Sequence, residues 1–516
     1  MIDLLLVVGV HGTLFSLFKQ RASFPGGLDG QTAWLLSVAP LYFIAKAGFL
    51  PGRLVLQGLA GSLVWFYRTA SLSMISERNI YLQSLYLYIA ASVLSSLYAA
   101  FLGPLRKIPG PLFAKLSSYY LPYHLLFRST NFTKLFSRLH AQYGPVIRIG
   151  PNEVHAATLD AYNTIYNQRF DKEPTLYKCF GEDESSFGEL TYAAMKARKD
   201  RLSGLFTRSG VKDLEHVIRA NVDRTVDRLA QECFTSQSST DFLLAMKCLA
   251  VNVITTFCFA KDIGAIDAPG FRAPIILAME ASLFNFLVFM NFPLANKIIF
   301  SLPMWLSWII APELSGLFDL QLLLQGQIDE LKANPARLES VPHKTIYHPL
   351  LASGTRKSLY EEGQAMLFGG TDTVSNTAML LVFYVLSTPG VEEKLLDELR
   401  AVWPDKTSEI PSWDALEKLP YLTAVIKEAL RLTPGVPAGL KRVVGKGGIF
   451  VVEGVWIPEG TVIHGSGHMV NLDETLWKEP RKFRPGRWLV GKEERRAMEA
   501  NLVTFSRGPR MCMGIK

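Results

Sequence analysis

Phe505-Ser506-Arg507-Gly508-Pro509-Arg510-Met511-Cys512-Met513-Gly514 is the stretch on which the reading of this 516-residue chain turns. Glycines on both sides of Cys512 let the backbone turn tightly and come close to a flat ligand. A thiolate that stays bound to a metal needs N–H donors nearby and a sheltered apolar setting, and a loop leading into a helix start supplies such donors. Within the same ten residues Arg510 can reach an anionic carboxylate and Phe505 can cover one side of the ligand. The other cysteines, Cys179, Cys233, Cys248 and Cys258, are scattered, with no Cys-x-x-Cys pair. That pattern argues against a zinc ribbon or a disulfide framework and fits a reducing compartment. Cys248 and Cys258 lie among apolar residues and read as small buried hydrophobes.

Working upstream, Gly369-Gly370-Thr371-Asp372-Thr373 falls in the middle of an apolar helix predicted over Leu359–Ser387. Two glycines weaken the helix, and the Thr373 hydroxyl can bond back to the Gly369 carbonyl, so the segment is expected to open a local groove. In Glu428-Ala429-Leu430-Arg431 the two charges stand three apart on one helix face and pair readily. Phe483-Arg484-Pro485-Gly486-Arg487-Trp488 offers a further arginine, and Lys196–Leu202 is a basic helical stretch. Phe271–Ile310 is rich in Phe, Leu, Ile and Met. His464 and His468 are four apart in a strand or loop region and are read as non-ligands. The chain shows no phosphate-binding loop, no His-Glu-x-x-His and no Gly-x-Ser-x-Gly elbow.

Composition bounds the rest. Apolar residues reach 49% and basic residues exceed acidic ones by eight; mean hydropathy is +0.18. No run of five like charges and no basic tract interleaved with aromatics occurs, so nucleic acid is not an expected partner. Positive charge beside apolar segments fits anionic lipid or an acidic protein better. Residues 1–104 read as a membrane anchor region. Its clear span is 80–103, uncharged and long enough to cross a bilayer, and 2–18 and 34–50 are further candidates. Arg106 and Lys107 follow the clear span, which places the rest of the chain on the cytosolic side. Ile108-Pro109-Gly110-Pro111 then stops the helix and forms a stiff linker.

Residues 105–516 are expected to be mainly α with small β-sheets. Helices are predicted over Val211–Glu232, Phe242–Ala260, Leu359–Ser387, Val391–Val402 and Tyr421–Leu432. A hairpin is predicted from Val146–Ile149 and Glu153–Ala156. A second strand region runs from Gly448 to Ile463, turning at Pro458-Glu459-Gly460.

The ten-residue stretch around Cys512 resembles the haem-binding signature of the cytochromes P450, Phe-x-x-Gly-x-Arg-x-Cys-x-Gly. Gly369–Thr373 is similar to the oxygen-binding segment of that family. Glu428–Arg431, 84 residues before Cys512 (512 − 428), resembles its buried Glu-x-x-Arg. The resemblance implies a cytochrome P450 fold and haem b with Cys512 as axial iron ligand. It implies that Phe505, Gly508, Arg510 and Gly514 hold the cofactor, with Arg198 reaching a haem propionate. It makes Asp372 and Thr373 a proton relay, and Glu428, Arg431 and Arg487 a structural cluster, although Gly486 replaces the acid usual before that arginine. Val436, Pro437 and Ala438 match the segment lining the substrate cavity, which the Phe271–Ile310 region caps.

The activity implied is a monooxygenase that hydroxylates or epoxidises a hydrophobic small molecule, in the manner of fungal enzymes of terpenoid or polyketide secondary metabolism. NADPH–cytochrome P450 reductase and membrane lipid are the implied partners, at the endoplasmic reticulum membrane with the haem domain facing the cytosol. Lys516 lies four residues beyond Cys512, where the family continues with a helix under the haem and a last strand pair. A haem domain truncated at that point is expected to retain haem less firmly. Two rival readings stand beside this one: a P450-like isomerase or dehydratase that uses no dioxygen, and an inactive membrane protein. Asp372 and Thr373 argue against the first, whose chemistry needs no proton relay.

Overall fold

The structure, a computed structural model, describes residues 88–235, 239–310, 312, 315–405, 407–433, 435–447 and 450–515. These form two compact units, one ending at Leu121 and including Arg148–Asn152, the other comprising Pro122–Ile147 and the chain from Glu153 onward. The short helix after the proline linker belongs to the first of these units. The candidate spans 2–18 and 34–50, and the start of 80–103, lie outside the described residues. The remainder of the third span is an apolar helix, α1 (Tyr88–Leu102), whose last turn winds as a π-helix from Tyr98. Gly103 ends it, and α2 (Leu112–Leu116) follows the prolines.

In the second unit α3 (Phe132–Tyr143) leads toward the two predicted strands, β1 (Val146–Gly150), whose residues from Arg148 on belong to the first unit, and β2 (Glu153–Ala156). Next come α4 (Leu159–Tyr166), the two-residue β3 (Asp171–Lys172) and α5 (Tyr192–Leu202), capped by the Thr191 side chain. The helix expected over Val211–Glu232 breaks at Leu214, whose side chain is buried. Arg208–Lys212 is a separate turn capped by Thr207, and α6 spans Glu215–Ala230.

Helix α7 (Phe242–Phe259) starts on Asp241, which accepts from two backbone N–H groups, and stops where Ala260 turns left-handed. The apolar Phe271–Ile310 region contributes α8 (Pro274–Asn291) and two shorter helices, and α9 (Ser315–Ala333) follows. Helix α10 (Arg356–Ser387) begins one turn before its predicted start because the Thr355 hydroxyl caps it, accepting from Ser358 N–H at 2.9 Å. Helices α11 (Val391–Val402) and α12 (Pro420–Leu432) match their expected spans within a residue.

The strand region holds β4 (Arg442–Val443), β5 (Phe450–Val452), β6 (Val455–Ile457) and β7 (Val462–Gly465). The last two are separated by the expected Pro458–Gly460 turn. Within the second unit the main sheet has the order β2-β7-β4-β3, and β5 and β6 pair by themselves. Strand β2 runs parallel to β7 with His155 opposite His464, and β4 is antiparallel to both β7 and β3.

The core forms where α7 lies along α10. Leu244, Cys248 and Val251 of α7 pack with Ile276 and Met279 of α8, Leu324 of α9 and Leu367 of α10. A second cluster joins Leu202 of α5, Cys258 of α7, Ile328 of α9 and Leu359 of α10. Helix α7 and the stretch Pro269–Asn291 are each long and apolar enough to cross a membrane by length and composition. The burial of α7 explains its own apolarity: it is a core helix. Cys248 and Cys258 are buried as expected, and burial pushes the Cys248 thiol up to about 11.

Candidate active site

The Cys512 loop closes on itself. The Cys512 N–H donates to the Phe505 carbonyl at 3.0 Å, and the Met511 N–H donates to Gly508 at 3.1 Å. Gly508 has φ +67°, and a Cβ there would stand 2.3 Å from the Tyr166 carbonyl oxygen. No other residue type lets the loop lie against the end of α4. Met513 packs on the cluster containing Leu359 and Ile346, so the loop meets the N-terminal part of α10.

The Cys512 side chain reaches an open surface. The protein on its inner side nevertheless crowds the thiol enough to hold it above its ordinary value, while the Gly514 N–H and the Lys199 ammonium pull it down. Gly514 thus supplies one of the N–H donors expected around the sulfur.

Arg510 is fixed by donating from Nε to the Phe170 carbonyl and from Nη2 to the Leu190 carbonyl, each at 3.0 Å. Its neighbours are other cations. Lys172 and Arg442 are both buried; Arg442 donates to the Tyr177 hydroxyl, and Lys172 to the Phe187 carbonyl at 2.6 Å. Burial, with Arg510 and Arg442 adding repulsion, lowers Lys172 to about 6. Burial and Arg442 likewise bring Arg510 down to about 10. Asp171, at 3.8 Å from Arg510, has a largely exposed side chain and screens little. The buried Nη1 of Arg510 has no hydrogen-bond partner.

Three crowded cations and an orphaned guanidinium nitrogen form a site lacking its anion. The carboxylates of a haem suit it, and Cys512 suits the iron. The residues present therefore fit the cofactor that the sequence implies.

Arg198 is placed elsewhere. Its Nε donates to the buried carboxylate of Glu362 at 2.7 Å, and its Nη2 to the Ser358 carbonyl, which ties α5 to α10. The residue of α5 that faces the cysteine loop is Lys199, whose Nζ donates to the Met511 carbonyl at 2.7 Å. One residue is about 100° of helix rotation, enough to exchange the two roles.

On α10 the Thr373 hydroxyl donates to the Gly369 carbonyl at 2.8 Å, the bond read from the sequence. The two glycines do different work. Gly369 faces open space, whereas a Cβ at Gly370 would meet Ile254 at 2.8 Å, so Gly370 lets α7 and α10 touch. Asp372 lies 3.3 Å from Lys247 Nζ, which also pairs with Glu280 at 2.9 Å. Burial lowers Lys247, but Glu280 and Asp372 together raise it above its ordinary value.

Glu428, Arg431 and Arg487 do assemble. Glu428 Oε1 accepts from Arg431 Nη2 at 2.8 Å and from Arg487 Nε and the Arg484 N–H at 3.0 Å. Oε2 accepts from Arg431 Nε and from the Trp488 indole at 3.0 Å. Arg431 Nη1 then binds the carbonyls of Asn471 and Pro480. Gly486 leaves this arrangement intact. Val436 and Pro437 are exposed and Ala438 half-buried. The Pro437 carbonyl accepts from the Ser466 hydroxyl at 3.4 Å. His464 Nε2 donates to the Glu153 carboxylate at 3.0 Å.

Sequence reasoning missed Lys172, Arg442, Lys199, Lys247 and Trp488. Trp488 had a usable signal, since it directly follows Arg487.

Comparison with known proteins agrees with this geometry. The sequence model of the cytochrome P450 family matches residues 116–516. Cytochrome P450 monooxygenase flvC of Aspergillus flavus is 28% identical over 467 residues, covering 82% of this chain and 84% of that protein. Cytochrome P450 monooxygenase macH of Penicillium terrestre is 30% identical over 434 residues, 81% of this chain and 84% of its own. Tryptophan 6-hydroxylase fscE of Fusarium equiseti is 32% identical over 425 residues, 80% and 82% of the two chains. A cysteine loop braced by its own backbone, beside buried cations that lack an anion, is thus found in a chain that belongs to the cytochrome P450 family.

Proposed function

We propose that this monooxygenase hydroxylates or epoxidises a hydrophobic small molecule of secondary metabolism at the endoplasmic reticulum membrane, with electrons from NADPH–cytochrome P450 reductase. One oxygen atom enters the substrate and the other leaves as water. The observation that carries this reading is the pairing of the Cys512 loop with the unsatisfied buried cations beside it. Haem, if bound through Cys512 Sγ, would supply the redox chemistry, and Lys172, Arg442 and Arg510 would take its carboxylates. The Gly514 N–H and Lys199 favour the thiolate form of Cys512.

Asp372 and Thr373 move protons from adjacent positions of one helical turn. The Thr373 hydroxyl hydrogen points to the Gly369 carbonyl, which leaves its oxygen free to accept. Lys247 fixes where the Asp372 carboxylate lies. Val436, Pro437 and Ala438 line the substrate side, and ring hydroxylation, named for one relative, is a chemistry such a site can direct. The reading is tested by the reduced, CO-bound spectrum of the full chain, in which the band of a thiolate-ligated haem is expected and Cys512→Ala abolishes it. Asp372→Asn is expected to lower product formation about 100-fold with the spectrum unchanged. Turnover without NADPH would instead support the isomerase or dehydratase reading.

A further inference from the structure

The first unit carries a site that the oxygenase chemistry does not use. From Tyr88 to Leu121 the chain contains Arg106, Lys107 and Lys115 and no acidic residue, and no acid follows until Glu153. The three cations converge on one cavity of ≈350 Å³, walled on its apolar side by Ala100, Phe101 and Leu112.

The cavity is built rather than incidental. Buried Leu105 and Ile108 pin the linker inward and leave Arg106 and Lys107 exposed between them. Buried Arg148 joins the end of α1 to the chain beyond β1, donating from Nη2 to the Ala99 carbonyl at 2.9 Å and to the Pro151 carbonyl at 2.6 Å. The Arg148 N–H donates to the Pro109 carbonyl at 2.7 Å. A Cβ on Gly110 would stand 2.2 Å from the Arg148 carbonyl oxygen, so only glycine permits this closure. Burial and the charge of Arg148 both lower the Lys115 ammonium. The cavity rim is therefore cationic, with no carboxylate lining it among the described residues.

What the site takes follows from its neighbour. Along α1 the exposed residues are Ile89, Ala90, Val93, Leu94, Leu97, Tyr98, Phe101 and Leu102, spaced to form one face that is apolar but for the Tyr98 hydroxyl, while Ala91 and Ala100 are buried on the other. The apolar face stops at Gly103, and the cations begin three residues later. A free phosphate matches the cations but not the apolar face. A neutral lipid matches the face but not the cations.

We propose that the cleft between the end of α1 and α2 binds the phosphate-bearing headgroup of an anionic membrane phospholipid, whose acyl chains lie along the exposed face of α1. The proposal rests on the reading that this chain sits at a membrane.

The test uses the delipidated full chain in detergent and mass spectrometry of retained lipid, comparing phosphatidylserine with phosphatidylcholine of matched acyl chains. Preferential retention of phosphatidylserine is expected. Arg106→Gln, Lys107→Gln and Lys115→Gln should each reduce the preference about fivefold, while Lys115→Arg should keep it. The melting temperature of each variant shows that the fold survives. Equal retention of the two lipids would overturn the proposal, and so would competition by inorganic phosphate as effective as that of phosphatidylserine. An equal loss of preference in Arg128→Gln, outside the cleft, would also overturn it by showing a diffuse charge effect. The readout needs neither haem nor NADPH, so its failure and failure of the oxygenase reading are separate events.

Discussion

Two buried ionic clusters in the second unit are composed of similar groups and behave oppositely. Around Glu428 every group has a partner: two carboxylate oxygens accept five N–H donors, and Arg431 spends its remaining hydrogens on carbonyls. Around Arg510 three cations crowd together, Asp171 is the one acid within ion-pair distance among the described residues, with Glu189 and Glu362 acting on Lys172 from farther off, and a guanidinium nitrogen is left without a partner. A saturated buried network holds shape and can accept nothing more. An unsaturated one costs stability until a ligand completes it. The contrast separates brace from binding site more sharply than the residue types do, since both clusters are arginine-rich.

The largest expected effect lies in the brace. Glu428→Gln leaves Arg431 charged, fully buried and without a counter-ion, and should destabilise the protein by about 3–5 kcal/mol. Chemical unfolding of the variant measures this, and a loss under about 1 kcal/mol would show that the closed cluster is not a brace.

At the open cluster the effect on stability should be smaller. In the haem-free protein Lys172→Met removes a repelled cation along with its two carbonyl contacts, so stability should stay within about 1 kcal/mol of the parent. Haem dissociation should accelerate about tenfold. A variant that unfolds more easily yet keeps haem as well as the parent would reverse the two assignments.

The same lysine gives the open cluster a pH signature. Its folded value of about 6 lies far below the ordinary value of 10.5. Between those limits the unfolded chain binds a proton that the folded, haem-free protein does not. Stability therefore rises with pH across the window and is lost as pH falls toward 6. Melting temperatures across the upper part of that window should show a positive slope that Lys172→Met flattens. Haem carboxylates would let Lys172 stay protonated in the fold, so the loaded protein should show the weaker slope.

How much of this was legible beforehand depended on how local the signal is. Glu428 and Arg431 share a helix face at fixed spacing, and Cys512 sits in a loop whose glycines and arginine are neighbours in sequence, so both could be read directly. The Thr373 bond to Gly369 follows from helix geometry alone. Lys172 and Arg442 could not be read, because each lies in a two-residue strand and only the pairing of β3 with β4 brings them together. Which basic residue of α5 faces the cysteine loop was hidden for a different reason. Helix α5 carries Lys196, Arg198, Lys199 and Arg201 around most of its circumference, so no amphipathic phase marks the side that faces the cysteine loop.

Lys247 falls between the two kinds of cluster and gives the smallest expected effect. It is buried and doubly paired, like the brace, but Glu280 is partly exposed and Asp372 belongs to the proposed proton path. If its role is only to hold α7 to α8 and α10, Lys247→Met should lower stability, with NADPH consumption and product falling together. If it positions Asp372, stability should change by about 1 kcal/mol or less, the CO-bound spectrum should be unchanged, and the product formed per NADPH consumed should fall about fivefold. Lys247→Arg, which keeps the charge, should recover most of the coupling. Measuring NADPH consumption and product together distinguishes these outcomes: a packing defect lowers both in proportion, whereas a misplaced proton donor lowers product more.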